Sequence, residues 1–168
     1  MSLYETIPYK VLKRDGKIEI RKYDDLLLAS TKTQINKNRD SGFSNVFRYI
    51  SGDNKERSKI SMTTPVVSYE EDDHLVTGFY ISRKYTKDNV PKPSDDQVFI
   101  KELQMSLYAV ISFRGRWTDK NFDKHDQILL QYINKQKYKT VSPRLIFRYQ
   151  PPFVPAIFRR NEIAYQIM

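Results

Sequence analysis

Lys22 is the first residue whose chemistry asks for an account. In "IEIRKY", residues 18–23, strand alternation puts Ile18, Ile20 and Lys22 on one face, so an amine follows two isoleucines. The simplest reading is that the strand ends there and the stem lies along apolar surface while the amine reaches water. The ordinary candidates for proton transfer or metal ligation are the two histidines. His74 lies in the acidic turn "EEDDH". His125 stands three residues after Phe122 and four before Leu129, the place of a packing histidine on a helix. The two have no metal-ligand spacing. With no cysteine there is no thiolate ligand, no cysteine nucleophile and no disulfide framework. No nucleophile elbow or glycine-rich phosphate loop is present, and the carboxylates at 70–73 and 95–96 fall in loops. These residues specify no enzyme.

Two stretches ask more of the chain. In "SKISMTTPVVSY", residues 58–69, Ile60, Met62, Thr64 and Val66 share a strand face, Met62 reads as core filler, and Pro65 implies a sheet edge, a bulge or a break. In "YQPPFVPAIFRRNE", residues 149–162, three prolines stiffen a segment that carries Phe153, Val154, Ile157 and Phe158. That segment either packs on the core or rims an apolar pocket. Arg159 and Arg160 follow at once, and guanidiniums beside an apolar rim suit a flat ligand with a carboxylate tail.

The elements that must position these residues read as follows. Asp15-Gly16 between Val11-Leu12 and Ile18-Ile20 is a hairpin signal, and a strand-like run follows from Leu26 to Ile35. Phe43, Val46, Phe47 and Ile50 fall on one face of a short helix that Asp40 or Ser41 can cap and Gly52 can end. Strands are expected at 60–69 and 75–83, then a polar, proline-bearing connector, "KDNVPKPSDD". Val98, Ile100, Leu107 and Ala109 stand 80 residues after Ile18, Ile20, Leu27 and Ala29. A second helix over 119–137, capped by Thr118 or Asp119, and strands near 144–149 and 162–167 complete the pattern. The expectation is an α+β chain of one domain, with pseudo-repeats about 9–83 and 97–168, forming an antiparallel sheet or distorted barrel with two helices.

The 168 residues allow one sizeable core, with 39% hydrophobic and 29% charged residues. No apolar run approaches the roughly 20 residues of a membrane span. The start of the chain lacks a signal-peptide pattern, so a cytoplasmic protein is the simplest reading. The net charge of +9 is spread along the chain rather than gathered on one helix, which argues against nucleic acid.

The segments "IEIRKY", "KISMTTPV" at 59–66 and the proline-rich stretch at 149–162 resemble the SOUL, or haem-binding-protein, family, and the resemblance covers nearly the whole chain. It implies two βαββ-like pseudo-repeats forming a distorted antiparallel β-barrel flanked by two helices. The fold is also similar to effector-binding domains of multidrug-responsive regulators, which take lipophilic ligands. It implies a non-enzymatic carrier, buffer or sensor of haem or a related tetrapyrrole, or else an effector-binding module for another amphipathic small molecule that acts through a protein partner. The family's apolar groove maps onto Phe43, Val46, Phe47 and Ile50 of the first helix and onto Phe153, Val154, Arg159 and Arg160, with the arginines meeting propionates. One departure stands out. Where some members carry a histidine proposed as an axial iron ligand, this chain has Lys22. A protonated lysine has no lone pair and does not ligate iron.

Overall fold

The computed structural model describes residues 4–35 and 40–168. In chain order the elements are β1 (Glu5–Thr6), β2 (Lys10–Asp15), β3 (Ile18–Tyr23), β4 (Leu26–Gln34), α1 (Asp40–Ile50), β5 (Thr63–Thr64), β6 (Val66–Glu71), β7 (His74–Ile81), β8 (Val98–Leu103), β9 (Ser106–Arg114), α2 (Asp119–Lys135), β10 (Leu145–Arg148), a 3-10 turn at Ala156–Phe158, and β11 (Arg160–Ile167). The chain divides into two compact units, residues 1–7 with 25–104, and residues 8–24 with 105–168. The caps expected from Asp40 or Ser41 fall on side chains outside those described.

In the first unit, β6, β7, β4 and β8 pair antiparallel in that order, and β1 pairs parallel with β5. Helix α1 lies on β4 and β7. Its inward residues Val46, Tyr49 and Ile50 meet Leu27, Ala29, Phe79 and Ile81 in one core. Gly78 is required where β7 crosses β4, because a Cβ there would come within 2.7 Å of Ser30 Oγ. Pro65 falls between β5 and β6, the strand break that its missing N–H favours.

In the second unit the antiparallel order is β2, β3, β9, β11, β10, with α2 on β9 and β11. The α2 core gathers Ile18, Ile20, Ala109, Ile111, Phe113, Phe122, Leu129, Ile133 and Ile163. Thr118 caps α2, its Oγ1 accepting from the Asn121 N–H at 3.2 Å. Gly16, at φ +61°, is the first of two loop residues between paired Asp15 and Ile18, where a tight hairpin needs positive φ.

The α+β class, the antiparallel strands and the two helices are as expected, but the barrel is not. Among the described residues, the end strands of each unit's ladder do not pair with each other, so neither ladder closes on itself. All six residues of the end strand β2 are exposed, and Lys10, Lys13 and Arg14 leave it a charged edge. The 80-residue repeat takes an exchanged form. Counterpart strands β3 and β8 pair with β9 and β4, that is, each pairs with the counterpart of its own successor in sequence. The registers correspond: Ile18 faces Ile111 and Ile20 faces Ala109, while Val98 faces Thr31 and Ile100 faces Ala29. The first hairpin therefore belongs with the second half of the chain.

Candidate functional site

Strand β3 answers the question set by Lys22. Ile18 and Ile20 do face the α2 core, and Lys22 is the half-buried residue near the strand end, between Lys10 and Leu107 on the neighbouring strands. The unexpected face is the other one. Glu19, Arg21 and Tyr23 are all buried, and Arg21 is completely so. Arg21 makes a bidentate pair with Glu162 of β11, Nη1 to Oε1 at 2.9 Å and Nη2 to Oε2 at 2.5 Å, and donates from Nε to Glu19 at 2.9 Å. Glu162 also accepts from Ser112 Oγ (2.7 Å), the Tyr149 hydroxyl (2.6 Å) and Arg160 Nη2 (2.9 Å). The Tyr9 ring lies under the Arg21 guanidinium at 3.8 Å.

Burial by itself would raise the Glu162 carboxyl, but the Arg21 hydrogen bonds and charge, then Arg160 and Tyr149, outweigh it and hold its pKa down at about 2. Burial and the adjacent carboxylate push the Tyr149 hydroxyl well above its ordinary value. This network ties β3, β9 and β11 of the second unit together. Sequence reasoning missed it, because "E-R-Y" on alternate positions reads as a solvent face. The only signal was the pairing of that run with "RRNE" at 159–162.

The rest of that motif holds the C-terminal loop. Asn161 is fully buried, accepts from Trp117 Nε1 at 2.8 Å and donates to the Gly115 carbonyl at 3.0 Å. Arg159 turns back into its own loop, donating to the Val154 carbonyl (2.8 Å) and the Pro152 carbonyl (2.7 Å) while its guanidinium covers the Trp117 ring at 4.4 Å. Arg160 reaches Tyr9 and Glu162. Both arginines expected to meet a ligand's carboxylates thus have internal anionic or carbonyl partners. Val154 is half-buried and Phe153 is exposed.

On α1 the four expected residues separate into pairs. Val46 and Ile50 are core residues, 0% and 5% exposed, so their side chains are consumed by packing rather than offered to a groove. Phe43 and Phe47 are exposed and stacked on each other, with ring centroids 5.8 Å apart and planes 13° apart. Phe43 also meets the buried Phe79 ring edge-on at 5.4 Å. The structure brings Phe43 to Phe47 in the first unit, and in the second it places Phe153, Val154 and Arg159 in one loop, with Arg160 opening β11 at its end.

An exposed stacked aromatic pair fits the flat apolar face of a tetrapyrrole. The donor set fits an axial iron ligand poorly. His125 lies flat on Phe113, centroids 3.9 Å apart, with Nδ1 on the Asn121 carbonyl at 2.7 Å, and His74 Nδ1 bonds the Asp72 carbonyl. Among the described residues no three His, Cys, Asp or Glu side chains form a metal-holding group. Among the same residues no helix is long and apolar enough to cross a membrane.

Among the described residues these features define an α+β chain of two units, each with an antiparallel sheet and one α-helix and with aromatic surface left exposed. Residues 4–166 match the family model described as SOUL heme-binding protein, and the chain belongs to that family. It is 26% identical to "Heme-binding protein 2" of Mus musculus, over 93% of this chain and 80% of that protein. It is 28% identical to "Heme-binding protein 2" of Homo sapiens, over 88% and 77%. Among solved structures, the EcmrR C-terminal domain superposes with a TM-score of 0.66 at 8% identity, covering 95% of this chain and 98% of that one. SAV2435 bound to tetraphenylphosphonium gives 0.51 at 14% identity, over 96% and 94%. At these identities the structural likeness is one of fold.

Proposed function

We propose that the protein binds haem or a related tetrapyrrole without axial ligation from Lys22, as a non-enzymatic carrier, buffer or sensor. The observation that carries this reading is the exposed Phe43–Phe47 stack in a chain of the SOUL heme-binding protein family. Aromatic rings held by a helix lose little entropy on covering a macrocycle. When bound, the group supplies its own redox and light-absorbing chemistry, and the chain supplies apolar cover and charge.

Haemin titrated into the protein is expected to shift its Soret band, saturate near one equivalent and quench Trp117. Phe47→Ser should weaken binding about tenfold, the loss of roughly 1.4 kcal/mol of apolar contact. A flat titration at micromolar protein would sink the reading. Lys22→His tests the departure separately. A low-spin spectral change appearing only in the variant would mark position 22 as a ligand slot, and an unchanged spectrum would show that it is none.

The second reading, an effector-binding module for another amphipathic molecule, draws support from the likeness to SAV2435, whose structure holds a lipophilic cation. A lipophilic cation is held by aromatic faces as well as by carboxylates, and the buried Glu162 is already matched by Arg21 and Arg160. Thermal stabilisation by tetraphenylphosphonium but not by haemin would favour this second reading.

A further inference from the structure

The turn at 151–158 carries more exposed apolar surface than the ligand reading uses. Phe153, Ile157 and Phe158 are 86%, 70% and 60% exposed. Three large side chains so exposed on one short turn make a knob rather than a groove, and single exposed hydrophobics elsewhere need no such account.

Part of the backbone beneath them is bonded within the turn. The N–H groups of Val154, Phe158 and Arg159 bond the carbonyls of Pro151, Pro155 and Ala156. Arg159 covers the carbonyls of Pro152 and Val154, and Arg114 Nη1 donates to that of Phe158 at 3.2 Å. Pro151, Pro152 and Pro155 have no N–H to satisfy. Each backbone group so bonded lowers the polar cost of leaving water, because unpaired backbone groups are what excludes loops from an apolar medium. The adjoining 113–118 segment, joined through the Gly115 N–H to the Arg159 carbonyl, adds exposed Arg114 and Arg116. Neither 113–118 nor 149–160 contains an acidic residue.

We infer that this turn is a docking element for an anionic lipid surface: Phe153, Ile157 and Phe158 enter the headgroup boundary, and Arg114 and Arg116 meet the lipid phosphates and carboxylates. Apolar insertion beside basic residues is the combination that holds a protein on a membrane without spanning it. The inference is independent of tetrapyrrole binding and is tested on haem-free protein. Ile157 and Phe158 take no part in the ligand reading.

The test is co-sedimentation with phosphatidylcholine vesicles, with and without added phosphatidylserine. Wild type should pellet with the serine-lipid vesicles, less with neutral ones, and less as salt rises. The double variant Ile157→Ser, Phe158→Ser should bind about tenfold more weakly while keeping the wild-type thermal midpoint and haemin titration. The inference is overturned if wild type ignores both vesicle types, if neutral and anionic vesicles bind it equally, or if the variant binds like wild type. It is overturned too if sedimentation of the free protein shows a dimer that the variant lacks, for then the knob serves a second copy of the chain.

Discussion

Glu162→Ala is expected to destabilise the protein by about 3 kcal/mol, a large share of a typical domain's 5–15 kcal/mol. The substitution leaves the fully buried Arg21 without its bidentate partner. Breaking a buried pair from one side costs roughly 3–5 kcal/mol, because the remaining charge stays desolvated. The lower end applies here, since Arg21 keeps Glu19 at 2.7 Å and the partly exposed Arg160 can turn to water. Urea unfolding should show a lowered midpoint. A loss below about 1 kcal/mol would mean that the network adds no net stability.

The same residue sets a pH dependence. The folded carboxyl titrates at about 2, against roughly 4.3 in an unfolded chain. The unfolded state therefore binds more protons between these values, and stability rises with pH across that window. The Glu162 contribution is fully present above pH ~4.5 and is lost as pH falls towards ~2. Glu162→Gln removes the titration but keeps the shape. Its stability should fall less steeply than wild type between those limits, and parallel curves would place the acid sensitivity elsewhere.

Phe79→Ala is expected to cost about 3–5 kcal/mol, the range for deleting a buried aromatic ring. Phe79 is 1% exposed, packs with Val46, Ile50 and Ile81, and touches the Phe43 ring at its edge. Beyond the cavity it leaves, the loss removes the support that orients Phe43 against Phe47. Haemin affinity should therefore fall although Phe79 itself is inaccessible. Phe79→Leu refills most of the space and should cost less in stability, while still weakening haemin binding through the lost ring edge. If Phe79→Ala unfolds the chain, Phe79→Leu carries the binding test. An unchanged haemin titration in Phe79→Leu would separate the core from the aromatic stack.

The readable parts of the fold are those whose signals are local. Gly16 in the hairpin, the Thr118 cap of α2, the apolar stripe of α1 and the 80-residue repeat each arise from neighbours within a few turns or from a matched pattern. Phe43 and Val46 stand three apart on one helical face, yet one is exposed and the other is core. Periodicity gives the face, and only the sheet beneath decides how much of its width is covered. The prolines at 151, 152 and 155 announced a stiff segment but not whether it packed down or projected, and Arg159 folds back onto the loop's own carbonyls.

The sequence by itself determined the α+β class, both helices and the hairpin, because these rest on spacing along one strand or helix, and three separate motifs carried the resemblance to the family. It left β3 half-read. Lys22 drew attention as a charge on an apolar face, whereas the residue that matters most is its neighbour Arg21 on the other face. That could not be seen locally, because Arg21 and Glu162 are 141 positions apart and meet only when β3 and β11 flank β9. A charge reads as solvated until its partner is found, and partners across a sheet are set by distance in space rather than by spacing in sequence.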